Sequence, residues 1–268
     1  MTAQRALIIG GGDIGSAVAA ELFRQGLRVL VADRAGSPHA RRGMAFTDAL
    51  FDGAALLDGL TARRLDDITL LDDWWKAAQV IPVTTIPEDE LMNVVAFEVL
   101  VDATMRRQGE PPDRRALAAT FVGLGPGYIP GRNCHVAIET QWGDLMGQVL
   151  RDRPAAARTG GPRALAGVTR ERFAIAPCAG VWRTDAALGL AVHAGEHIGM
   201  LAGHPVKAPI DGHLRGLSRD GIHVSAGQRL LEVDPRVEPQ VFGLGERPRA
   251  VALGVAEALG LPRRGACG

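Results

Sequence analysis

Three glycines near the start of the chain have the spacing of a phosphate-binding loop. A short apolar run at residues 7–9 leads into Gly10, Gly12 and Gly15, with helical spacing after them. In such turns the first glycine permits a tight turn and the second lets the backbone approach a phosphate. The third brings helix and strand together, and the helix amides bind the anion. The pattern predicts a nucleotide-type ligand; a simple βα turn is the alternative.

Four charged residues bear on the ligand of this loop. Asp33 ends the next apolar run, at the distance expected of a ribose-binding carboxylate. Asp13 lies inside the loop, where its charge opposes a pyrophosphate and therefore plain NAD binding. Arg41 and Arg42 could offset that charge. We count all four residues with the glycines as candidate cofactor-binding positions.

A second glycine-rich stretch, residues 123–131, follows another strand pattern. Loops at the carboxyl ends of parallel strands line a common crevice, so Gly125 and Gly127 are further candidates for cofactor binding. Just beyond them, Cys134, His135 and Glu139 are candidate catalytic residues. Neighbours on a strand point to opposite faces, which argues against a simple Cys134–His135 dyad.

No metal site is expected. Five of the seven histidines lie between His193 and His223, but no helix aligns them and no carboxylate or thiolate completes a ligand set. We interpret them as surface residues. The cysteines Cys134, Cys178 and Cys267 are too few and scattered for a disulfide framework.

The elements that would position these residues change in type along the chain. Up to about residue 150, short β-branched runs alternate with helical ones, which predicts an α/β domain with a mostly parallel, Rossmann-like sheet at 1–151. Residues 152–167 suit a linker, and 236–268 a closing helix and tail. The predicted strands are 6–9, 28–32, 80–84, 99–102 and 120–124.

The segment 168–235 contains a 32-residue internal repeat. Residues 176–201 align without gaps on residues 208–233, with eight identities that include prolines and glycines at turns. Two such halves joined by a tight turn resemble the barrel-sandwich fold of biotinyl and lipoyl domains. In those domains a modified lysine occupies the turn, whereas here Lys207 follows it, so we expect no lysine modification.

Composition bounds the class of protein. The 268 residues carry 30 basic and 30 acidic side chains and 47% hydrophobic residues, as in a globular protein. A balanced charge disfavours nucleic acid as a partner. Without a long apolar run or the form of a signal peptide, we expect no membrane segment and a cytoplasmic location.

Five features together resemble one family. These are the glycine–aspartate loop, the Arg41–Arg42 pair, the Gly-Leu-Gly-Pro-Gly loop, the Cys-His-x-x-Ile-Glu-Thr segment at 134–140 and the C-terminal repeat. The chain resembles the YqeB-type accessory proteins of selenium-dependent molybdenum hydroxylases, whose first domain is related to the xanthine dehydrogenase accessory factor XdhC. The resemblance implies a maturation factor that binds molybdenum cofactor (molybdopterin) or its nucleotide form. Such a factor assists sulfuration, selenation or insertion for a hydroxylase apoenzyme.

Two other functions remain open. The glycine loop also suits an NAD(P)-binding oxidoreductase, although no Tyr-x-x-x-Lys arrangement or obvious proton donor accompanies it. The repeat also suits a carrier-type binding module without lysine modification. A maturation factor is favoured over a turnover enzyme because no complete catalytic constellation is evident, and a homo-oligomer is left open.

Overall fold

The computed structural model describes residues 3–106, 109–157 and 161–262. The chain forms two compact units. The first contains Met1–Ala35, Ala45–Arg158 and Leu244–Gly268, and the second contains Gly36–Met44 and Thr159–Gly243. Neither unit is therefore continuous in sequence.

A nine-stranded sheet forms the centre of the first unit. Its strands are β1 (Arg5–Ile9), β2 (Arg28–Ala32), β3 (Ala54–Leu57), β4 (Leu60–Arg64), β5 (Ile81–Thr84), β6 (Val99–Asp102), β7 (Thr120–Leu124), β8 (Val136–Ile138) and β9 (Val149–Leu150). The spatial order is β3-β4-β5-β2-β1-β6-β7-β8-β9. The seven strands from β4 to β8 in that order run parallel, and only the edge strands β3 and β9 pair antiparallel.

Both faces of this sheet are buried. On β1, Ala6 and Ile8 join one hydrophobic core and Leu7 joins the other. The same alternation places Val29 and Val31 of β2 opposite Leu30. Because each face is covered, the central strands are mainly apolar, as is usual for parallel sheets. The covering helices are α1 (Asp13–Arg24), α2 (Ala49–Asp52), α3 (Leu71–Ala77), α4 (Glu88–Val94) and α5 (Glu246–Ala258).

The second unit is built from two four-stranded antiparallel sheets. Its strands are β10 (Phe173–Ile175), β11 (Gly180–Arg183), β12 (Ala191–Val192), β13 (His197–Leu201), β14 (His204–Lys207), β15 (Gly212–Leu217), β16 (His223–Val224) and β17 (Arg229–Asp234). The sheet orders are β10-β17-β15-β12 and β14-β13-β11-β16. A shift of 32 residues exchanges β10–β13 with β14–β17 and converts one order into the other. Each sheet thus takes strands from both repeats.

The structure confirms the mixed α/β class with a large, mostly parallel sheet, and all five strands expected from the sequence are present. The domain boundaries expected from the sequence differ from the two units of the structure. The last helix, which the sequence analysis set apart in 236–268, belongs to the first unit, where Val251 and Val255 are in the core beside α1. Ala155, at the start of the expected linker, is buried in the same unit.

A long-range hydrogen bond explains one departure. The amide of Ala155 donates to the carbonyl of Tyr128 at 3.1 Å, and such contacts leave no signal in local composition. No helix in the described ranges is long and apolar enough to cross a lipid bilayer.

Candidate functional site

The candidate site lies in the first unit, at the carboxyl ends of the central strands. The chain goes from β1 to β2 on one side and later returns to β6 on the other side of β1. In open α/β sheets, the crevice at such a reversal is the common ligand position. The glycine loop after β1 occupies this position.

The glycine loop is held in a defined shape. Gly10 has a φ of 97° and its amide donates to the carbonyl of Ala32 at 2.8 Å. A Cβ atom on Gly15 would lie 1.8 Å from the Gly10 carbonyl oxygen, so only glycine permits this approach of α1 to β1. Gly12 is the N-cap residue of α1, with extended backbone. Within residues 3–106, 109–157 and 161–262 its amide has no protein acceptor.

The two aspartates of the predicted site both contact this loop. Asp33 follows β2, and its Oδ2 accepts the Gly11 amide at 2.9 Å. The carboxylate therefore fixes the loop at the carboxyl ends of β1 and β2, and its predicted role in ribose binding remains a prediction. Asp13 Oδ1 accepts the Ile14 amide at 3.0 Å and so occupies one of the first-turn donors of α1.

A charged network that the sequence analysis missed adjoins this loop. Asp102 ends β6 and is fully buried, and its Oδ1 accepts both the amide (3.0 Å) and the hydroxyl (2.5 Å) of Thr104. Its Oδ2 accepts Arg114 at 2.8 Å, and Arg114 also donates to Glu88 at 2.8 Å. A Cβ on Gly10 would lie 3.0 Å from the Thr104 amide, so this network directly adjoins the glycine loop.

The burial and the charges of this network shift the pKa values of Glu88 and Tyr128. Burial raises the pKa of Glu88, Arg114 opposes the shift, and the charge of Asp102 adds to it. Burial and the same charge raise the pKa of the Tyr128 hydroxyl, which therefore stays protonated. Asp102 holds Arg114 in place, and the side chains of Arg114 and Glu88 are 14% and 24% exposed. One feature of the sequence could have indicated this network: a carboxylate stands directly after the apolar residues of β6, at the carboxyl edge of the sheet.

The second glycine-rich stretch has clear packing roles. Gly125 and Gly127 have φ values of 84° and 88°. A Cβ on Gly125 would lie 2.6 Å from the Thr140 hydroxyl, and one on Gly127 would lie 2.8 Å from Pro111. Close packing therefore accounts for glycine at both positions. The role in cofactor binding that we expect of Gly125 and Gly127 remains a prediction.

The three candidate catalytic residues all have structural contacts, and their catalytic role remains a prediction. Cys134 is fully buried, and burial raises the pKa of its thiol to about 11, which disfavours the thiolate. The exposed His135 accepts the Phe121 amide at its Nδ1 at 2.9 Å. Glu139 accepts the amides of Thr140, Gln141 and Ala156 at 2.7–2.8 Å. The Cys134 thiol is therefore not accessible in this structure, and Glu139 holds three backbone amides together.

The arginine pair belongs to the second unit. Arg41 donates from Nε to Glu232 at 2.8 Å, and Arg42 donates from Nε to the carbonyl of Leu217 at 2.9 Å. These contacts lie within the second unit, and the predicted role of both arginines as counter-charges of the glycine loop remains a prediction.

The remaining polar residues of the second unit are mostly at its surface. His193, His197, His204 and His223 are exposed, and Lys207 is an exposed residue of β14. The turn before it, Ala202–Gly203, has two positive φ values, as in a type I′ hairpin. Cys267 lies outside the described residues.

Three comparisons relate the chain to known proteins. No protein-family model matches it. Among solved structures, it is similar to AtPrR2 in its apo form, with 17% identity, coverage of 48% of this chain and 40% of that one, and a TM-score of 0.26. It is also similar to product-bound EutE (DoeB), the ectoine utilization protein of Ruegeria pomeroyi, with 13% identity, 88% and 86% coverage and a TM-score of 0.25. TM-scores this low support no conclusion about fold or function.

The sequence comparison is more informative. Over 259 residues, the chain is 35% identical to a protein of Escherichia coli (strain K12) described as uncharacterized protein YqeB. The match covers 96% of this chain and 47% of that protein, so the chain spans about half the length of the curated relative. Along nearly its whole length, then, the chain is similar to YqeB.

Proposed function

We propose that the first unit binds a phosphate-bearing cofactor at the glycine loop, and that the protein is an accessory factor holding molybdenum cofactor, or its nucleotide form, for a molybdenum hydroxylase apoenzyme. One observation carries the proposal. The loop stands at the carboxyl end of the central strand β1, where the strand order reverses, and Asp33 fixes the amide of Gly11 there.

The residues of the crevice fit the two ends of such a cofactor. The backbone of Gly12 and the N-terminus of the twelve-residue helix α1 would hold a phosphate. Asp33, Arg114 and Glu88 would hydrogen-bond the polar heterocyclic or ribose part. Asp13 adds a negative charge at the phosphate end, so the loop binds anions more weakly than one without a carboxylate.

The proposal extends to the fold. The order β5-β2-β1-β6-β7 matches the strand arrangement of Rossmann-like domains, which supports a dinucleotide-type architecture for the first unit. The exchange of strands between the two repeats supports a barrel-sandwich fold for the second unit. In that fold Lys207 would be an ordinary surface lysine and the unit a binding module or docking surface for the hydroxylase.

A role in holding and delivery fits the catalytic candidates better than turnover does. Cys134 is buried as a thiol, and Glu139 is saturated by backbone amides. Handling of sulfur or selenium would therefore use groups other than the Cys134 thiolate.

A second candidate function is an NAD(P)-dependent oxidoreductase. The position of Asp33 after β2 specifically favours it, because a carboxylate there binds the ribose hydroxyls of dinucleotides. The binding experiment below separates the two functions.

The test is calorimetric titration of the full chain with molybdopterin and, separately, with NAD and NADP. Gly12→Ala should weaken binding of the true ligand by about tenfold, since a methyl group would block the phosphate while the extended backbone accepts alanine. Asp13→Asn retains a side-chain acceptor and removes the charge, so it should strengthen binding, most at low salt. Preferential binding of a nicotinamide dinucleotide with turnover would establish the oxidoreductase. Unchanged affinities in both variants would exclude the loop as the binding site.

The cellular role needs a separate measurement. Deleting the gene should leave hydroxylase polypeptide present but inactive, with its cofactor absent or lacking the terminal sulfur or selenium. Fully loaded, active hydroxylase from the deletion strain would refute a maturation role.

A further inference from the structure

A glutamate–arginine pair lies at the carboxyl edge of the large sheet. Glu88 begins α4, after β5, and its Oε2 accepts a hydrogen bond at 2.8 Å from Arg114, which lies between β6 and β7. In the sheet, β5 and β6 are separated by β2 and β1. The pair therefore joins segments that follow the strands on either side of the two strands leading to Asp33 and the glycine loop.

Three contacts connect Arg114 to the glycine loop. Arg114 donates to Asp102 at 2.8 Å, and Asp102 accepts the amide of Thr104 at 3.0 Å. A Cβ on Gly10 would lie 3.0 Å from that amide. Arg114 therefore reaches the first glycine of the loop through two intervening residues.

Glu88 is connected to Asp33 in a similar way. The amide of Asp33 donates to the carbonyl of Thr84 at 3.0 Å, and Thr84 ends β5, four residues before Glu88. In a parallel sheet, the segments that follow the strands line the ligand position at the carboxyl edge. A ligand held by the glycine loop and Asp33 would therefore have Glu88 and Arg114 as neighbours.

A second glutamate–arginine pair, at the amino edge of the same sheet, has a different character. Glu98 precedes β6, and its two carboxylate oxygens accept the amide, Nε and an amino group of Arg5 at 2.6–3.2 Å. These contacts lower the pKa of Glu98 to about 2. For Glu88, burial and the charge of Asp102 outweigh Arg114 and raise the pKa. Glu98 therefore has the saturated contacts of a structural pair, whereas the raised pKa of Glu88 is typical of a functional site.

The open groups of the Glu88–Arg114 pair determine what it can bind. Within residues 3–106, 109–157 and 161–262, Glu88 Oε1 accepts no hydrogen bond, and Arg114 uses two N–H donors, one to Asp102 and one to Glu88. The pair thus presents an acceptor oxygen beside further donors. Arg106 lies 3.7 Å from Asp102, so two guanidinium groups balance two carboxylates here. A balanced network of this kind suits a neutral polar group better than a further anion.

We propose that Glu88 and Arg114 recognise a heterocycle with the 2-amino-4-oxo arrangement that pterins and guanine share. In such a ring an amino group, a ring N–H and a carbonyl oxygen follow one another along one edge. The Glu88 carboxylate would accept the two N–H groups, and Arg114 would donate to the carbonyl oxygen. Adenine has an acceptor nitrogen where these heterocycles have the ring N–H, so it would place two acceptors against each other.

This inference rests on the proposed function, because it assigns the heterocyclic part of the ligand whose phosphate the glycine loop would hold. It also separates the two candidate functions. Molybdopterin carries a pterin, whereas NAD and NADP carry adenine.

The test is equilibrium titration of the full chain with guanosine monophosphate (GMP) and adenosine monophosphate (AMP), which share ribose and phosphate and differ in the base. We expect the wild type to bind GMP about tenfold more tightly than AMP, and Glu88→Gln to lose this preference. The glutamine oxygen can still accept from Arg114, but its amide turns donors towards the N–H groups of guanine. Equal binding of both nucleotides by the wild type, or tighter binding of AMP, would overturn the proposal.

The matched control is Glu98→Gln, which changes the glutamate of the other pair in the same unit. It should leave the affinity for GMP unchanged, and Glu88→Gln should leave the affinity for AMP undiminished. Equal losses of GMP binding in the two variants would refute recognition by Glu88. So would equal losses of GMP and AMP binding in Glu88→Gln, because a structural effect does not depend on the base.

Two further titrations distinguish failure of this inference from failure of the proposed function. Gly12→Ala should weaken GMP and AMP alike, since both carry a phosphate; such a loss without any preference for GMP in the wild type would retain the phosphate site and refute the heterocycle site. Free pterin has no phosphate and tests Glu88 without the glycine loop. Pterin binding that Glu88→Gln weakens, with nucleotide binding unaffected by Gly12→Ala, would support the inference and refute the loop. Pterin binding that is absent, or unaffected by Glu88→Gln, would overturn the inference.

Discussion

At the scale of single residues, Glu232 stabilises the second unit through its charge. Its pKa is lowered to about 2, because the surrounding arginines outweigh the effect of burial. The ordinary pKa of a glutamate is 4.5. The folded state therefore favours the carboxylate, and this contribution is fully present above about pH 4.5. It is lost as the pH falls towards 2.

We expect Glu232→Gln to lower the free energy of unfolding at pH 7 by on the order of 3 kcal/mol, since it leaves buried guanidinium groups without their carboxylate. The loss of stability of the second unit between pH 4.5 and 2 should be smaller in this variant than in the wild type. Denaturant unfolding at several pH values, with hydrogen exchange reporting on β15 and β17, measures both effects. Exposed Glu238→Gln is the control; an identical pH profile for Glu232→Gln and wild type would contradict the assignment.

At the scale of elements, the stability of the turn between β1 and α1 should depend on which of its glycines is replaced. We expect Gly15→Ala to destabilise the first unit by several kcal/mol, because its Cβ would lie 1.8 Å from the Gly10 carbonyl oxygen. Gly11→Ala is the matched variant in the same loop, where the nearest atom would be 3.3 Å away. Thermal unfolding should separate the two variants clearly, and equal midpoints would show that α1 can move away from β1.

The local patterns in the sequence account for most elements. The apolar runs at 28–32, 99–102 and 120–124 coincide with β2, β6 and β7. Such elements can be predicted because their hydrophobic patterns involve only residues that are close together in the sequence. The 32-residue repeat likewise anticipates the exchange of strands between the two sheets. The strands β3, β4, β8 and β9 were not anticipated. β8 and β9 have three and two residues, too few for a periodic signal, and β3 and β4 lie at one edge of the sheet, where several of their residues are exposed.

The partners of buried charges could not be predicted in this way. Arg41 reaches Glu232 from 191 positions away, and the contact of Arg114 with both Asp102 and Glu88 joins three separate segments. A sequence shows that such charges exist but not which opposite charge each one meets. The glycine loop and Asp33 were predictable because one βα turn fixes their spacing.

At the scale of the whole molecule, α5 stabilises a unit whose other residues lie far away in the sequence. Val255 is fully buried in the core of the first unit, whereas Leu253, on the same helix, is 42% exposed. We expect Val255→Asp to destabilise the first unit by several kcal/mol, because an unpaired carboxylate would be buried. Leu253→Asp should cost little.

Hydrogen exchange followed by mass spectrometry localises the effect. In Val255→Asp, faster exchange should appear in β1 and β8, with β15 and β17 unchanged. Loss of protection confined to the second unit, or equal effects of the two variants, would show that α5 does not complete the first unit.

The discontinuity of both units has a consequence for protein synthesis. The second unit needs Arg41, made early, and β17, made late, while the first needs α5, which leaves the ribosome after every strand of both units. Neither unit can reach its final form while its N-terminal part alone has emerged, and helix α1 and the strands β8 and β9 wait for α5, which packs against them. A nascent chain of this kind exposes hydrophobic surface until α5 has emerged. It should therefore be a frequent client of ribosome-associated chaperones.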